Sequence, residues 1–231
     1  MEIAHPGHQH MDIPTNTALI ETMHASPTGE ITLLERHLDR LLRSAQTLGY
    51  TTTGREAIRS QIVKHLCSHP MPGCHQRVRL LMDQAGETQI ESYALPPLTD
   101  RPLVAISSHR LDSRELFLQH KTTHRPWYAD ATSWLASHPD FFDLIFLNEK
   151  NEICEGSRSN IYLLQDGVWV TPPLTCGLLG GVLRRQLLES GKVVERSIAA
   201  SALQTPNPQL RLSNALRGWF DVQFTRQPVL R

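Results

Sequence analysis

The chain has 231 residues, enough to bury a substantial core in one large domain or two smaller ones without disulfides or structural metals. Lysine plus arginine and aspartate plus glutamate each number 23, so the net charge is zero. This balance excludes the basic surface of a nucleic-acid-binding protein and a polybasic membrane anchor. The four cysteines lack the CxxC spacing of a zinc site, and no apolar run approaches the roughly 20 residues that cross a bilayer.

The segment 1–14 is polar and contains histidines at positions 5, 8 and 10, and it does not resemble a secretory signal. These histidines leave a metal site open as one interpretation, but the composition favours a polar leader. We therefore expect a cytoplasmic protein that needs no metal ion.

The first part of the chain predicts alternating strands and helices. Residues 17–25 predict a strand, and a Pro-Thr-Gly turn followed by a short strand near residues 31–34 would complete a hairpin. Apolar residues recur with helical spacing over 34–48, and Gly49 stands where a helix C-terminal cap belongs. The remaining elements predicted here are a helix over 55–67 and strands over 77–82 and 88–94.

Prolines in residues 95–102 exclude a continuous helix or central strand, so this stretch is the best candidate for a linker. It divides the chain into a small N-terminal α/β domain, residues 1–98, and a C-terminal domain, residues 99–231. Elements predicted beyond it are strands over 103–107, 141–148, 161–164, 168–170, 193–197 and 210–213, and helices within 121–136 and over 181–190. This mixture predicts an α+β or α/β enzyme rather than an all-helical or all-β module.

Two local features could hold a small anionic cofactor. Gly180 and Gly181 lead directly into a predicted helix, whose free N–H groups and positive dipole end suit a phosphate, although many Gly-Gly pairs are ordinary turns. Lys121 lies beside His120, His124 and Arg125, and nearby cations lower the pKa of a lysine that must attack an aldehyde. Composition by itself favours a solvated basic loop for this lysine.

Five segments resemble, in the same order along the chain, the class IV aminotransferase family of branched-chain aminotransferases, D-amino-acid aminotransferases and aminodeoxychorismate lyases. These segments are residues 33–41, 120–125, 148–160, 176–184 and 213–214. The resemblance implies a two-domain fold like that of D-amino-acid aminotransferases, with pyridoxal 5'-phosphate (PLP) bound between the domains.

The resemblance also implies a role for each matched residue. Lys121 would form the Schiff base with the cofactor, and Glu155 would hold the ring nitrogen protonated so that the ring withdraws electrons. The phosphate dianion requires charged and oriented donors. The residues implied to bind the cofactor, mostly at its phosphate, are Arg40, Asn160, Gly181, Val182, Ser213 and Asn214.

Thr22 is the residue that separates the branches of the family. A threonine at this position in aminodeoxychorismate lyases is thought to give a proton to the departing three-carbon fragment, although strand propensity alone also explains a threonine there. The segments around Thr22, Lys121 and residues 213–219 look closest to the lyases. They imply a 4-amino-4-deoxychorismate lyase that makes 4-aminobenzoate and pyruvate, a step of folate biosynthesis.

Several alternatives stay open. The same Lys121 and Glu155 would serve a class IV transaminase acting on branched-chain or D-amino acids, and a third interpretation is a non-catalytic protein that keeps only the fold. Arg79 is a candidate for the substrate carboxylate, with Arg77 beside it on the same strand face and a solvated or salt-bridged arginine as the alternative. The expected partners are a small-molecule amino substrate, a second copy of the chain in a homodimer, and an aminodeoxychorismate synthase as a functional link.

Overall fold

A computed structural model describes residues 13–98 and 100–226. The three histidines of the N-terminal segment lie outside these residues. In the described ranges no helix is both long and apolar enough to cross a membrane, and no group of His, Cys, Asp and Glu side chains is arranged to hold a metal ion.

The first half of the described chain forms an antiparallel sheet of three strands, β1 (Leu19–Ala25), β2 (Gln76–Met82) and β3 (Thr88–Ala94). Every second residue of β1 and β2 is buried, as expected for a sheet with one face against a core. Helices α1 (Leu34–Leu48) and α2 (Arg55–Ser68) supply the other side of that core.

Helix α1 confirms the prediction from apolar spacing, since Leu38, Leu41 and Ala45 are all buried. Gly49 ends it at φ 70°, a left-handed conformation that a residue without Cβ adopts at little cost. The short strand predicted at residues 31–34 is wrong. The preceding turn closes on itself, because the Ser26 N–H donates to Glu30 O, and the chain then enters α1.

The second half builds a mixed sheet of eight strands in the order β6-β5-β4-β11-β10-β7-β8-β9. Its strands are β4 (Leu103–Leu111), β5 (Phe141–Asn148), β6 (Ile153–Gly156), β7 (Asn160–Gln165), β8 (Val168–Thr171), β9 (Val194–Glu195), β10 (Leu210–Asn214) and β11 (Gly218–Phe224). Helices α3 (Ala129–Ser137) and α4 (Val182–Glu189) are the two α-helices within this part of the described chain. Strands β6 and β11 have no counterpart among the sequence predictions.

The small sheet takes its strands from before residue 95 and the large sheet takes its strands from after residue 102, with the proline-rich stretch between them. The chain then returns to the small sheet, because Thr122 forms an antiparallel bridge with Leu19 of β1. This return brings the segment around residue 121 to the junction of the two sheets. The domain boundary at residues 98 and 99 stays a prediction.

Candidate active site

A cavity of about 520 Å³ lies between the two sheets. Its lining includes nine of the ten residues that the sequence analysis assigned to a site, namely Thr22, Arg40, Lys121, Glu155, Asn160, Gly181, Val182, Ser213 and Asn214. The structure therefore brings together residues up to 192 positions apart (214 − 22) in one place. Their roles stay predictions, but their common position is a finding.

Backbone pairing with β1 sets the position of Lys121. The Ile20 N–H donates to Lys121 O at 2.8 Å, and the Thr123 N–H donates to Ala18 O at 2.8 Å. Residues that face each other in antiparallel pairing project to the same side, so Lys121 projects on the side of Ile20 and of Thr22 two residues further on. The lysine and the threonine thus line the cavity from adjacent strands.

The Lys121 side chain opens onto the cavity and is otherwise surrounded by protein. Burial, together with the positive charges of Arg125 and Arg40, lowers its pKa to about 7, although Glu21 and Glu155 act in the opposite direction. A large fraction of Lys121 is therefore neutral at physiological pH, the form that can attack a carbonyl or accept a proton.

Glu155 lies at the end of β6 and is buried. The Tyr128 hydroxyl donates to its Oε1 at 2.7 Å, yet burial raises the pKa of this carboxyl to about 7. A cationic group placed against Glu155 would lower that pKa again and hold the carboxylate ionised. Glu155 is thus suited to pair with a protonated ring nitrogen.

Asp143 supports the turn that follows Glu155, and the sequence analysis missed it. Its carboxylate accepts hydrogen bonds from the Ser157 hydroxyl and the Ser159 hydroxyl, both at 2.6 Å. Gly156 packs so tightly that an added Cβ would lie 2.2 Å from Asp143 Oδ2. The available signal was a single aspartate inside the otherwise apolar segment 141–147, because a charged residue in such a segment needs hydrogen-bond partners.

The N-terminus of α4 faces the cavity at the position predicted for a phosphate. Gly181 is its N-cap and has no side chain to satisfy the first N–H groups. A Cβ on Gly181 would lie 2.0 Å from Asn160 Oδ1, so glycine is required for Asn160 to reach Leu179 O, to which its Nδ2 donates at 2.8 Å. The Gly181 N–H already donates to Leu179 O at 2.8 Å, so the amides that can meet an anion begin at Val182. These N–H groups and the helix dipole make this an anion site.

Ser213 and Asn214 close the same region from the end of β10. The Ser213 hydroxyl lies 2.8 Å from the Tyr162 hydroxyl, and Asn214 Oδ1 accepts from the backbone N–H of Arg217 at 2.8 Å. The first contact fixes a hydroxyl at the cavity wall, and the second shapes the turn that follows.

Arg40 extends from α1 to the cavity, and its guanidinium is held by Glu21 of β1. Its Nε donates to Glu21 Oε1 at 2.8 Å and its Nη2 donates to Glu21 Oε2 at 2.5 Å. Burial would raise the pKa of Glu21, but Arg40 and His37 lower it to about 2, and the carboxylate stays ionised. Burial lowers the pKa of His37, so the neutral imidazole donates from Nδ1 to the same carboxylate at 2.6 Å. The sequence analysis missed Glu21 and His37.

Arg79 is the one predicted site residue that the structure does not place among the cavity-lining residues. It pairs directly with Thr22 across β1 and β2, but Arg77, two residues earlier, is the arginine of β2 that lines the cavity. Strand alternation puts both side chains on one face and cannot decide which of them reaches the cavity.

The two sheets enclose a half-buried lysine of lowered pKa, a buried carboxylate and an open helix N-terminus. This combination is typical of an enzyme site rather than of a structural junction. The chain belongs to the class IV aminotransferase family, since the family described as "Amino-transferase class IV" matches residues 18–223. Members of this family are PLP-dependent enzymes, which include both transaminases and lyases.

Three similar proteins illustrate the range of the family. A protein of Mesorhizobium loti with the provisional name amino-acid aminotransferase is 31% identical, with a TM-score of 0.81 over 91% of this chain and 100% of that chain. A Schizosaccharomyces pombe protein with the provisional name aminodeoxychorismate lyase is 29% identical over 170 residues, 72% of each chain. A structure from Legionella pneumophila, with the provisional name 4-amino-4-deoxychorismate lyase, shares the fold at 18% identity and a TM-score of 0.76, covering 93% of this chain and 85% of that chain.

The cavity residues fit the cofactor of this family. The N-terminus of α4 has no side-chain cap and is suited to a phosphate. The amine of Lys121 is suited to an aldehyde. Glu155 provides a buried carboxylate for a pyridine nitrogen. The positions expected from the family thus form a chemically consistent set.

Proposed function

We propose that this protein is a PLP-dependent lyase that converts 4-amino-4-deoxychorismate into 4-aminobenzoate and pyruvate. The observation that supports this reaction over others is the position of Thr22, whose side chain lines the cavity on the same sheet face as Lys121. The name of the Schizosaccharomyces pombe relative agrees with this choice.

Arg40, the N–H groups at the start of α4 from Val182 onward, and the turn at Ser213 and Asn214 would hold the cofactor phosphate. The Gly181 N–H, expected from the sequence to take part, is bonded to Leu179 O instead. Glu155 would pair with the ring nitrogen. PLP, when bound, withdraws electrons from the carbon that bears the substrate amine.

The reaction requires a proton to leave one carbon and another proton to reach a second carbon. The neutral amine of Lys121 takes the proton from the ring carbon that bears the substrate amine. The bond between the ring and the ether oxygen then breaks, the ring becomes aromatic, and the three-carbon fragment leaves as an enolate. The Thr22 hydroxyl protonates the methylene carbon of this fragment, which becomes pyruvate, and Lys121 returns its proton to Thr22.

The direct test is to incubate the cofactor-loaded protein with 4-amino-4-deoxychorismate and to measure 4-aminobenzoate and pyruvate. We expect equal amounts of both products. Thr22→Val removes the hydroxyl but keeps the β-branched shape, so it should lower kcat about 10²-fold with little change in KM. Thr22→Ser keeps the hydroxyl and should retain most of the activity. An inactive wild-type protein with bound cofactor would rule out the proposal.

The second candidate is an amino-acid transaminase with the same Lys121 and Glu155, and the name of the Mesorhizobium loti relative favours it. A transaminase would convert its cofactor to the pyridoxamine form when an amino-acid donor is added, whereas the lyase would not accumulate that form. Cofactor-free protein that retains no aldimine absorbance after PLP is added and unbound PLP is removed would instead support a protein that keeps only the fold.

The proposed setting is a cytoplasmic homodimer that receives its substrate from an aminodeoxychorismate synthase. This part of the proposal rests on the family, whose members are usually homodimers. Light scattering of the purified protein at several concentrations tests the dimer, with a mass near 26.1 kDa as the result that would reject it.

A further inference from the structure

Three arginines and one tyrosine line the outer side of the cavity. We call this outer side the mouth and define it by Arg77, Tyr93, Arg158 and Arg217. Arg77 comes from β2, Arg158 from the turn between β6 and β7, and Arg217 from the turn between β10 and β11. Arg77, Arg158 and Tyr93 are exposed and Arg217 is half-buried, so the mouth lies between solvent and the reacting groups.

None of these arginines takes part in a salt bridge within residues 13–98 and 100–226. They are held instead by groups that do not neutralise them. Arg158 Nε donates to Phe142 O at 2.7 Å, and its guanidinium lies 5.0 Å from the centre of the Phe142 ring. Arg217 donates to the carbonyl of Pro96, and Arg77 stacks on the Tyr93 ring at 5.1 Å. The guanidinium planes are therefore positioned without a negative partner.

The charges of the three arginines interact with one another. Burial lowers the pKa of Arg217, and the positive charges of Arg158 and Arg77 lower it further. The positive charge of Arg217 also reaches His24, whose pKa is lowered by burial first and then by His75 and Arg217, so His24 stays neutral. Placing like charges together costs free energy, and a bound anion would recover it.

The inner end of the cavity has a different charge balance. Arg40 is already paired with Glu21, and Glu155 is the carboxylate that faces Lys121 and Arg125 among the lining residues of the described chain. A cofactor phosphate would meet the remaining positive charge there. The three arginines of the mouth would keep their charge after that pairing, and they are available to an anion other than the cofactor phosphate.

We propose that Arg77, Arg158 and Arg217 form a carboxylate-binding site at the mouth and select amine substrates that have a second carboxylate. This inference rests on the proposed function, because 4-amino-4-deoxychorismate has one carboxylate on its ring and another on its three-carbon side chain. The planar fork of an arginine matches the two oxygens of a carboxylate, and several forks converging on one site discriminate against a neutral group.

The test measures binding rather than turnover, and the cofactor-loaded protein is titrated calorimetrically with two probes. Chorismate has both carboxylates but a hydroxyl in place of the amine, so it binds without reacting, and 4-hydroxybenzoate has a single carboxylate. We expect tighter binding of chorismate. We also expect Arg158→Gln and Arg217→Gln each to weaken chorismate binding by about tenfold while changing 4-hydroxybenzoate binding by less than about threefold.

Arg114→Gln is the matched control, because Arg114 is exposed and is paired with Asp112 away from the lining. It should bind both probes as the wild type does. Arg217→Lys keeps the charge without the fork and should recover part of the loss. If Arg217→Gln fails to fold, the exposed Arg77→Gln supplies the same comparison. Unchanged chorismate affinity in folded variants would overturn the proposal.

The same titrations separate this proposal from the proposed reaction. A wild type that makes 4-aminobenzoate, with variants that bind chorismate normally, would retain the lyase and reject the carboxylate site. If the wild type makes no 4-aminobenzoate but prefers chorismate over 4-hydroxybenzoate, and the variants lose that preference, the carboxylate site is retained and the lyase is rejected.

Discussion

The inner end of the cavity and its mouth are built on opposite principles. At the inner end, Glu155 and Arg40 are buried, and each has a partner in the protein, Tyr128 and Glu21 respectively. At the mouth, Arg77 and Arg158 are exposed and have no carboxylate partner in the described chain. Fixed partners suit a group that stays bound through every cycle, whereas unpaired donors suit a ligand that enters and leaves. We therefore assign the inner end to the chemistry shared within the family and the mouth to the choice of substrate.

The largest expected effect is at the inner end. Lys121→Ala removes the only amine that the cavity offers to a cofactor aldehyde within the described residues. It should lower the lyase rate by about 10³-fold or more and abolish the visible absorbance of lysine-bound cofactor. Lys192→Ala, at an exposed position, is the control and should change neither property. Full activity in Lys121→Ala would reject the assignment of the inner end.

A smaller effect is expected from Glu155→Gln, which keeps the shape of the side chain but cannot be ionised. The ring nitrogen would then lose the charge that keeps it protonated, so kcat should fall by about 10-fold to 100-fold while the absorbance remains. Tyr128→Phe removes the 2.7 Å hydrogen bond to Glu155 and should have a weaker effect of the same kind. Equal kcat values for Glu155→Gln and the wild type would contradict this role.

The smallest effect is on the pH dependence of stability, measured on cofactor-free protein by urea unfolding. The folded state lowers the pKa of Lys121 from 10.5 to about 7, so between those values the unfolded chain binds more protons. The free energy of unfolding should therefore rise with pH from 7 to 9, by at most about 1.4 kcal/mol per pH unit. Lys121→Met replaces the amine by an apolar chain and should flatten this rise, whereas Arg77→Gln at the mouth should leave it in place.

The inner end was largely predictable from the sequence because its residues lie in short segments with local signatures. A glycine pair before a helix, a lysine among cations and an acid before a Gly-Ser turn are each recognisable within a few positions. Helix α1 was predictable for the same reason, since its apolar spacing and Gly49 are local features.

Long-range pairing decided the rest. The sequence could not tell that β1 would pair with β2 rather than with residues 31–34, because both partners satisfy the local pattern and only the shared core with α1 separates them. Nor could it choose between Arg77 and Arg79, whose side chains lie on the same face of one strand.

The sequence by itself determined which residues form helices and strands over most of the chain, and it indicated the family. Tertiary structure alone decided that Arg77, Arg158 and Arg217, separated by up to 140 positions (217 − 77), meet at one cavity mouth. The physical reason is that periodicity and capping act over a few residues, whereas a site formed by three distant turns and strands exists only after the two sheets have packed.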